Sequence, residues 1–349
     1  MKVSIVIPVY NVAPWVGTCL DSIQSALRAW LSGNRVEIVC VDDGSTDGSA
    51  EIIDGYAQSV GPAVDLVLIR QKNAGVSVAR NRGIEAATGD WLFFVDADDV
   101  LLPGGLDRLL EIAARDEYDA FFTGHPQYFC ETAPAAASGS WRVLEALPAR
   151  QTGKRLLLTG KLWGWPCIRL LRRSLFQSVR FPEGIANLED SISLIDVLAV
   201  EARWCWIDCS IYGYRSRSGS ACRELTPEKV KSIITSFGLM YEAACAKLHL
   251  AHHEAMVLMR QYASHMSIYI ASVIPAATVG ELCEIAALYD ESSRRMRYRM
   301  ANAFVGLALY LAKRLGTKRG SGWLLRGHRL YVRVQEGIRR RLPIRRRSA

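Results

Sequence analysis

Three acidic clusters hold the residue types best suited to chemistry. Asp96, Asp98 and Asp99 lie in Phe-Val-Asp-Ala-Asp-Asp (94–99), directly after an apolar run. Carboxylates this close repel one another, and a hard cation relieves that repulsion. Mg²⁺ or Mn²⁺ takes oxygen ligands and is commonly held by one or two carboxylates plus substrate phosphates. The start of a helix would also favour aspartates there, through its dipole. Asp42, Asp43 and Asp47 lie in Val-Asp-Asp-Gly-Ser-Thr-Asp-Gly (41–48). Taken alone this is a strand followed by an Asp/Gly turn, or a carboxylate placed to bind a nucleobase or sugar. Glu189 and Asp190 stand side by side near a predicted helix start, where a cap or first-turn role is the ordinary one.

A fourth segment, Asn-Ala-Gly-Val-Ser-Val-Ala-Arg-Asn-Arg-Gly (73–83), supplies small residues, a helix start and two arginines. Arg80 or Arg82 can meet a diphosphate through a rigid guanidinium fork. The segment has neither the Gly-Lys-Ser/Thr of a P-loop nor a GxGxxG fingerprint, which argues against P-loop NTPases and simple dinucleotide oxidoreductases. Elsewhere the signals are weaker. His249, His252 and His253 lack HExxH spacing and read as a solvated helix surface. Cys205 and Cys209 fall on one face of an apparent strand and read as buried thiols. Ser45, Ser49 and Ser77 have no histidine partner and no GxSxG elbow. Trp163 and Trp165 are either core or a wall against which an acceptor sugar or lipid packs.

The elements that must position these residues alternate. Strands are predicted at Val3–Val9, Glu37–Val41, Val64–Arg70 and Trp91–Val95. Helices are predicted over Pro14–Ala29, from a cap at Ser45 or Thr46 through Tyr56, over Ser77–Ala87, and from Pro103 to Arg115. Such a βαβα chain builds a largely parallel sheet, with ligands outside the carboxyl ends of the strands. Three of those ends carry Tyr10 and Asn11, Asp42 and Asp43, and Asp96 to Asp99. Further on, Ala133–Gly139 reads as a loop, Asn187–Ala199 as a helix and Arg203–Tyr214 as a strand. Helical segments are expected near 227–248, 251–272, 278–290 and 294–314.

The chain has 349 residues, half of them apolar and 22% charged, enough for a sizeable core and too apolar for global disorder. Nine cysteines, an odd number without a CxxC pair, favour a reducing compartment. Pro8 and Asn11 interrupt the apolar N-terminal run, so no targeting signal is expected. The longest nearly apolar run, Met266–Val279, includes Pro275 and falls short of the ~20 residues that cross a bilayer. Charge is uneven. From Arg294 onward fall 17 of the 43 Lys and Arg but one of the 35 Asp and Glu, so a mildly acidic body carries a basic tail.

Four strings, Val-Ser-Ile-Val-Ile-Pro-Val-Tyr-Asn (3–11), Val-Asp-Asp-Gly-Ser-Thr-Asp-Gly-Ser (41–49), Asn73 to Gly83 and Phe-Val-Asp-Ala-Asp-Asp (94–99), stand in the order and spacing of family 2 glycosyltransferases. The chain resembles that family strongly over 1–125. It does so more loosely to about 220, through Trp163-Gly164, Arg172 to Phe176, Phe181 to Gly184, Glu189-Asp190 and Tyr214-Arg215. The resemblance implies a GT-A type α/β fold, with a Rossmann-like, mostly parallel central sheet and flanking helices, followed by a mainly helical C-terminal region. It implies a UDP-sugar donor, Mn²⁺ or Mg²⁺, and inverting transfer. Pro8, Val9 and Tyr10 match the strand end flanking the nucleoside, Asp42 the carboxylate that meets the base, and Arg80 the arginine near the nucleotide. Asp96 and Asp98 match the metal motif, with Asp98 the principal ligand. Asp190 matches the catalytic base, with Glu189 beside it. The chemistry agrees: a carboxylate accepts the hydroxyl proton as general base, and a divalent cation makes the diphosphate a better leaving group. Relatives often have a histidine after the Tyr-Arg pair. Here Arg217 stands near that place, able to meet phosphates but without a lone pair for a metal.

The expected domains are a transferase domain over 1–220, a helical region over 221–319 and a basic amphipathic tail over 320–349. On a helical wheel Leu324, Tyr331, Val334, Ile338 and Leu342 share one quadrant, opposite Arg326, Arg329, Arg333 and Arg340. That pattern suits an anionic membrane surface, or a helix docked on the body. The tail lacks a nucleic-acid reader motif and interleaved aromatics, so no nucleic acid is expected. The expected acceptor is a glycan or polyprenyl-linked glycan of a surface polysaccharide, and the expected place is the cytoplasmic face of the cell membrane, held peripherally. The alternatives are a catalytically silent nucleotide-sugar-binding scaffold and a nucleotidyltransferase. The second would release pyrophosphate instead of UDP.

Overall fold

The computed structural model describes residues 1–158, 164–217, 226–258, 281 and 284–285. In chain order the strands and α-helices begin β1 (Val3–Val9), α1 (Ala13–Ala26), β2 (Val36–Asp42), α2 (Ser49–Ala57), β3 (Val64–Arg70), α3 (Val76–Ala86), β4 (Trp91–Phe94), β5 (Val100–Leu101) and α4 (Leu106–Ala113). They continue with β6 (Ala120–Phe122), β7 (Gln127–Phe129), β8 (Val143–Pro148), α5 (Ala149–Leu158), β9 (Arg169–Arg172), α6 (Glu189–Ala199), β10 (Arg203–Ile207), β11 (Tyr212–Arg215) and α7 (Pro227–Lys247).

The central sheet has eight strands in the order β3-β2-β1-β4-β9-β6-β10-β8. β3, β2, β1 and β4 are mutually parallel, and β10 is parallel to β6. β9 runs antiparallel to both neighbours, and β8 antiparallel to β10, so the parallel character is concentrated in the first half. β2 is buried along its whole length and β1 nearly so, as befits strands covered by helices on both faces. α1 carries Pro in its first turn and buries Val16, Cys19, Leu20 and Ile23, a helical stripe laid on that sheet. A second sheet, β5-β11-β7, stands beside the acidic loop after β4.

Several details depart from expectation. The run Arg203–Tyr214 is two strands in two sheets, β10 and β11. The chain turns between them, where Cys209 N–H bonds the Ile207 carbonyl and Gly124 N–H bonds the Cys209 carbonyl. Cys205 and Cys209 therefore do not share a strand face, although both are buried and burial pushes their thiols up, to about 11 and about 12. α2 is not capped by Ser45 or Thr46. Gly48, at φ 87°, precedes it, and Asp47 Oδ1 accepts the Ser49 N–H at 3.0 Å. α4 begins at Leu106 rather than Pro103, since Gly104 at φ 73° breaks any helix there.

The chain divides into two compact units, Met1–Ser220 with Ala246–His249, and Ala221–Cys245 with Leu250–Ala349. The described part after residue 226 is chiefly helical, with α7 and helical backbone over 252–258. There His252 and His253 are exposed, as is His249 before them. Most of the expected segments beyond 258, the tail at 320–349 and Trp163 lie outside the described residues.

Candidate active site

Strand register aligns the loops that carry the motifs. Val9 pairs with Asp42, Asp42 with Arg70, and Val6 with Phe94. The polar segments after β1, β2, β3 and β4 therefore share one edge of the sheet, the edge where open α/β sheets bind ligands.

At the β1 end Pro8 is half-buried, Val9 buried and Tyr10 50% exposed. Asn11, at φ 51°, donates its N–H to Ser45 Oγ at 3.0 Å and accepts the Thr46 N–H at 2.8 Å. Asp47 accepts from Ala13 N–H at 2.8 Å and from Ser49 Oγ, which ties this turn to the next loop. Burial would raise the Asp47 pKa, but those hydrogen bonds outweigh it and hold the carboxyl below the ordinary range. Asp43 is buried and accepts Gln71 Nε2 at 2.7 Å and the N–H groups of Ala74 and Gly75 at 2.8 Å each. Asp43 and Asp47 are thus scaffold. Asp42, also buried, accepts the Ser45 N–H at 3.2 Å on Oδ1, while its Oδ2 accepts nothing among the described residues.

Arg80 joins two of the acidic clusters. It sits on α3, buried, and donates at 3.1 Å to Asp96 Oδ1 and at 3.1 Å to Glu189 Oε1. Its guanidinium carbon lies 5.2 Å from the Phe181 ring centroid. Burial opposes the charge, but Asp96, Glu189 and Asp190 overcome it, so the guanidinium stays protonated and its pKa rises. Burial and Asp190 push Glu189 above the ordinary glutamate value, against the pull of Arg80. Arg82, by contrast, is exposed and donates to Gln71 at 3.4 Å.

The acidic loop is gripped by β11. Asp99 is buried in a turn, not at a helix start, and accepts Tyr212 Oη–H at 2.8 Å and Arg215 N–H at 2.7 Å. Tyr212 Oη in turn accepts the Asp96 N–H at 3.1 Å. Burial, then the charges of Asp96 and Asp98, push the Asp99 carboxyl up to about 8 despite those hydrogen bonds. Arg215 Nε donates to the Asp98 carbonyl at 2.8 Å, and Arg217 Nε donates to Asp98 Oδ2 at 2.7 Å.

Asp96 and Asp98 fit a hard cation. Each keeps one carboxylate oxygen, Asp96 Oδ2 and Asp98 Oδ1, that accepts no hydrogen bond among the described residues. Among those residues no group of three or more His, Cys, Asp or Glu could hold a metal. Two carboxylates suit a Mg²⁺ or Mn²⁺ whose coordination is completed by substrate phosphates.

Asp190 lies in the first turn of α6, after Leu188 at φ 61°, and its Oδ1 accepts the Ser191 N–H at 2.6 Å. Its Oδ2 accepts nothing among the described residues. A Cβ on Gly164 would stand 2.4 Å from Asp190 Oδ1, so the chain can pass this close to the carboxylate only as glycine. Arg169, buried on β9, donates to the Gly164 carbonyl at 2.6 Å and also to that of Trp165, holding the turn against Asp190. Burial lowers its pKa to about 10 against the pull of Asp190. Trp165 is partly buried against the core. Nothing local in Cys-Ile-Arg-Leu-Leu-Arg (167–172) marks Arg169 as a clamp, nor Tyr212 as a tie between Asp96 and Asp99. Tyr212 acts on partners more than a hundred residues away, and Arg169 on carbonyls four and five residues before it that only the folded turn brings to its guanidinium.

Residues 4–180 match the model of glycosyl transferase family 2. The chain belongs to that family. Membership classes it with the glycosyltransferases, and it is similar to several across bacteria. YibD of Escherichia coli (strain K12), an uncharacterized glycosyltransferase, is 39% identical over 162 residues, 46% of this chain and 42% of that one. EpsH of Bacillus subtilis (strain 168) is 32% identical over 250 residues, 70% of this chain and 69% of that one. The match thus spans less than half of the E. coli relative. In fold the chain is similar to S. aureus TarS 1-349 in complex with UDP-GlcNAc. The TM-score is 0.59 at 18% identity, with 90% of this chain and 92% of that one covered. That likeness bears out the α/β fold with a helical C-terminal region.

Proposed function

We propose that this chain is an inverting, metal-dependent glycosyltransferase that moves a sugar from a UDP-sugar to a hydroxyl of a glycan or polyprenyl-linked acceptor. The observation that carries the proposal is the Arg80 bridge. One buried guanidinium holds Asp96, of the acidic loop, and Glu189, the neighbour of Asp190, at the ligand-binding edge of the sheet. The bridge brings Asp96 and the neighbour of Asp190 together from residues far apart in the chain, which supports reading them as parts of one site.

In this reading Pro8, Val9 and Tyr10 flank the nucleoside, and Asp42 meets the base with its open Oδ2. Asp190 Oδ2 accepts the acceptor's hydroxyl proton as that oxygen bonds the anomeric carbon. The bond from that carbon to the diphosphate breaks on the opposite face, and UDP leaves with the electron pair. Arg80 holds Asp96 and Glu189 in place, and Arg217 supplies positive charge to the phosphates. Asp96 and Asp98 would hold Mn²⁺ or Mg²⁺, which when bound offsets the charge of the departing diphosphate as a Lewis acid.

A fold neighbour crystallised with UDP-GlcNAc makes UDP the nucleotide to test first. The test is a panel of UDP-, GDP- and dTDP-sugars with Mn²⁺, scored for the released product. Free UDP supports the proposal. Pyrophosphate released from a nucleoside triphosphate and a sugar 1-phosphate, offered in a parallel reaction, would make the chain a nucleotidyltransferase. Binding without any release, with acceptor present, would make it a silent scaffold. The same reading places the chain peripherally at the cytoplasmic membrane face through residues 320–349. Among the described residues no helix is long and apolar enough to cross a membrane.

A further inference from the structure

Asp98 is already partnered by a cation of the chain itself. Arg217 Nε donates to Asp98 Oδ2 at 2.7 Å, and its guanidinium carbon lies 4.3 Å from the ring centroid of Trp15, in the first turn of α1. The two charged side chains are 23% and 22% exposed, so the pair is shielded more than a surface bridge. The backbone around them is held separately. Arg215 grips the Asp98 carbonyl and, through its own N–H, Asp99. Arg217 is therefore not needed to keep the acidic loop in shape. Among the described residues its one polar tie is to the carboxylate that the family motif assigns to the metal.

A guanidinium has donors and no lone pair, so it cannot join a metal's coordination shell and competes for the same carboxylate. Its flat face can stay on an aromatic ring while its edge changes partner. A diphosphate is the better partner for that edge, since it carries more charge and accepts two parallel N–H bonds.

We propose that Arg217 is an exchangeable counter-ion. It occupies Asp98 in the nucleotide-free chain, yields that carboxylate to the divalent cation when the donor arrives, and passes to the donor's phosphates while resting on Trp15. This rests on the metal-dependent reading above. The consequence is positive coupling: nucleotide strengthens cation binding and cation strengthens nucleotide binding, by the same factor.

The experiment is a Mn²⁺ titration of the full chain, read from the electron paramagnetic resonance signal of the free ion, with and without UDP. Without UDP, Arg217→Ala should bind Mn²⁺ about tenfold more tightly than wild type, the scale of one charge-assisted hydrogen bond removed from the competition. With UDP the order should reverse, because the variant has lost its phosphate contact. Trp15→Phe, a milder change, should shift nucleotide-free Mn²⁺ affinity in the same direction by less, and it carries the test should Arg217→Ala fail to fold. Unchanged or weaker nucleotide-free Mn²⁺ binding in these variants overturns the exchange while leaving the metal reading standing. If neither wild type nor variant binds Mn²⁺ even with UDP, the metal reading fails and the exchange falls with it.

Discussion

Gly164 and Asp190 are so close that a Cβ on the glycine would stand 2.4 Å from the carboxylate oxygen. The contact makes a glycine outside α6 part of the machinery that aims a residue within it. Two variants separate aim from chemistry. Asp190→Asn keeps the shape and removes the proposed base, so UDP-sugar affinity should hold while transfer falls at least about 10²-fold. Gly164→Ala keeps the base and displaces it, so transfer should fall comparably, with a lowered unfolding midpoint as well. Normal turnover in Asp190→Asn would remove that residue from the base role.

Arg80 tests whether the bridge holds the site together. Arg80→Met leaves Asp96 and Glu189 without their shared cation. Breaking a buried pair costs about 3–5 kcal/mol, and the lower end applies because the Asp96 side chain is 33% exposed. The variant should unfold at lower denaturant concentration and bind UDP weakly. Wild-type stability would mean that the two carboxylates find other partners.

Glu37 supplies a pH dependence outside the site. Burial would raise its pKa, but Ser4 Oγ–H, the Thr88 hydroxyl and N–H, and Lys2 Nζ outweigh burial and hold it below the ordinary value of 4.5. A carboxyl depressed on folding contributes stability above its unfolded pKa and loses it as pH falls through the folded one. Urea midpoints should therefore drop between about pH 5 and pH 3. Glu37→Gln should start lower at neutral pH and lose less across that window. An equal loss in both proteins would assign the acid sensitivity to other carboxylates.

How much of this is legible in the sequence follows from distance along the chain. β1 and β3 are legible to the residue and β2 and β4 nearly so: β1, β2 and β4, covered on both faces, are mostly apolar runs, and β3, half-exposed at the sheet edge, still carries Val, Leu and Ile between Asp65 and Arg70. The candidate site residues were readable because the strand ends of one sheet edge are dense in polar residues. Their partners were not. Arg217 is 119 residues from Asp98, and Arg80 is 109 from Glu189. Arg203–Tyr214 reads as one strand because its apolar pattern continues through the turn that moves the chain between sheets. Arg169 sits in a strand-like run where an arginine looks solvent-facing, yet it is buried with its donors on two carbonyls.

On a helical wheel of residues 320–349, Arg326, Arg329, Arg333 and Arg340 face away from an apolar stripe. Each basic residue near an anionic surface adds about 1 kcal/mol, and the stripe adds about 25 cal/mol per Å² buried. Together they would make a reversible anchor that salt weakens, since the Debye length shortens from about 10 Å at 0.1 M to about 3 Å at 1 M. An acceptor hydroxyl on a polyprenyl carrier is confined to the bilayer face, so an enzyme held there meets it by lateral diffusion. Deleting 320–349 should release the protein from anionic liposomes and weaken transfer to a lipid-linked acceptor far more than hydrolysis of the donor. Neutral liposomes should bind the full chain poorly. Should the truncated chain float with anionic liposomes as well as the full one does, the arginine face serves a docked helix and the anchor lies elsewhere.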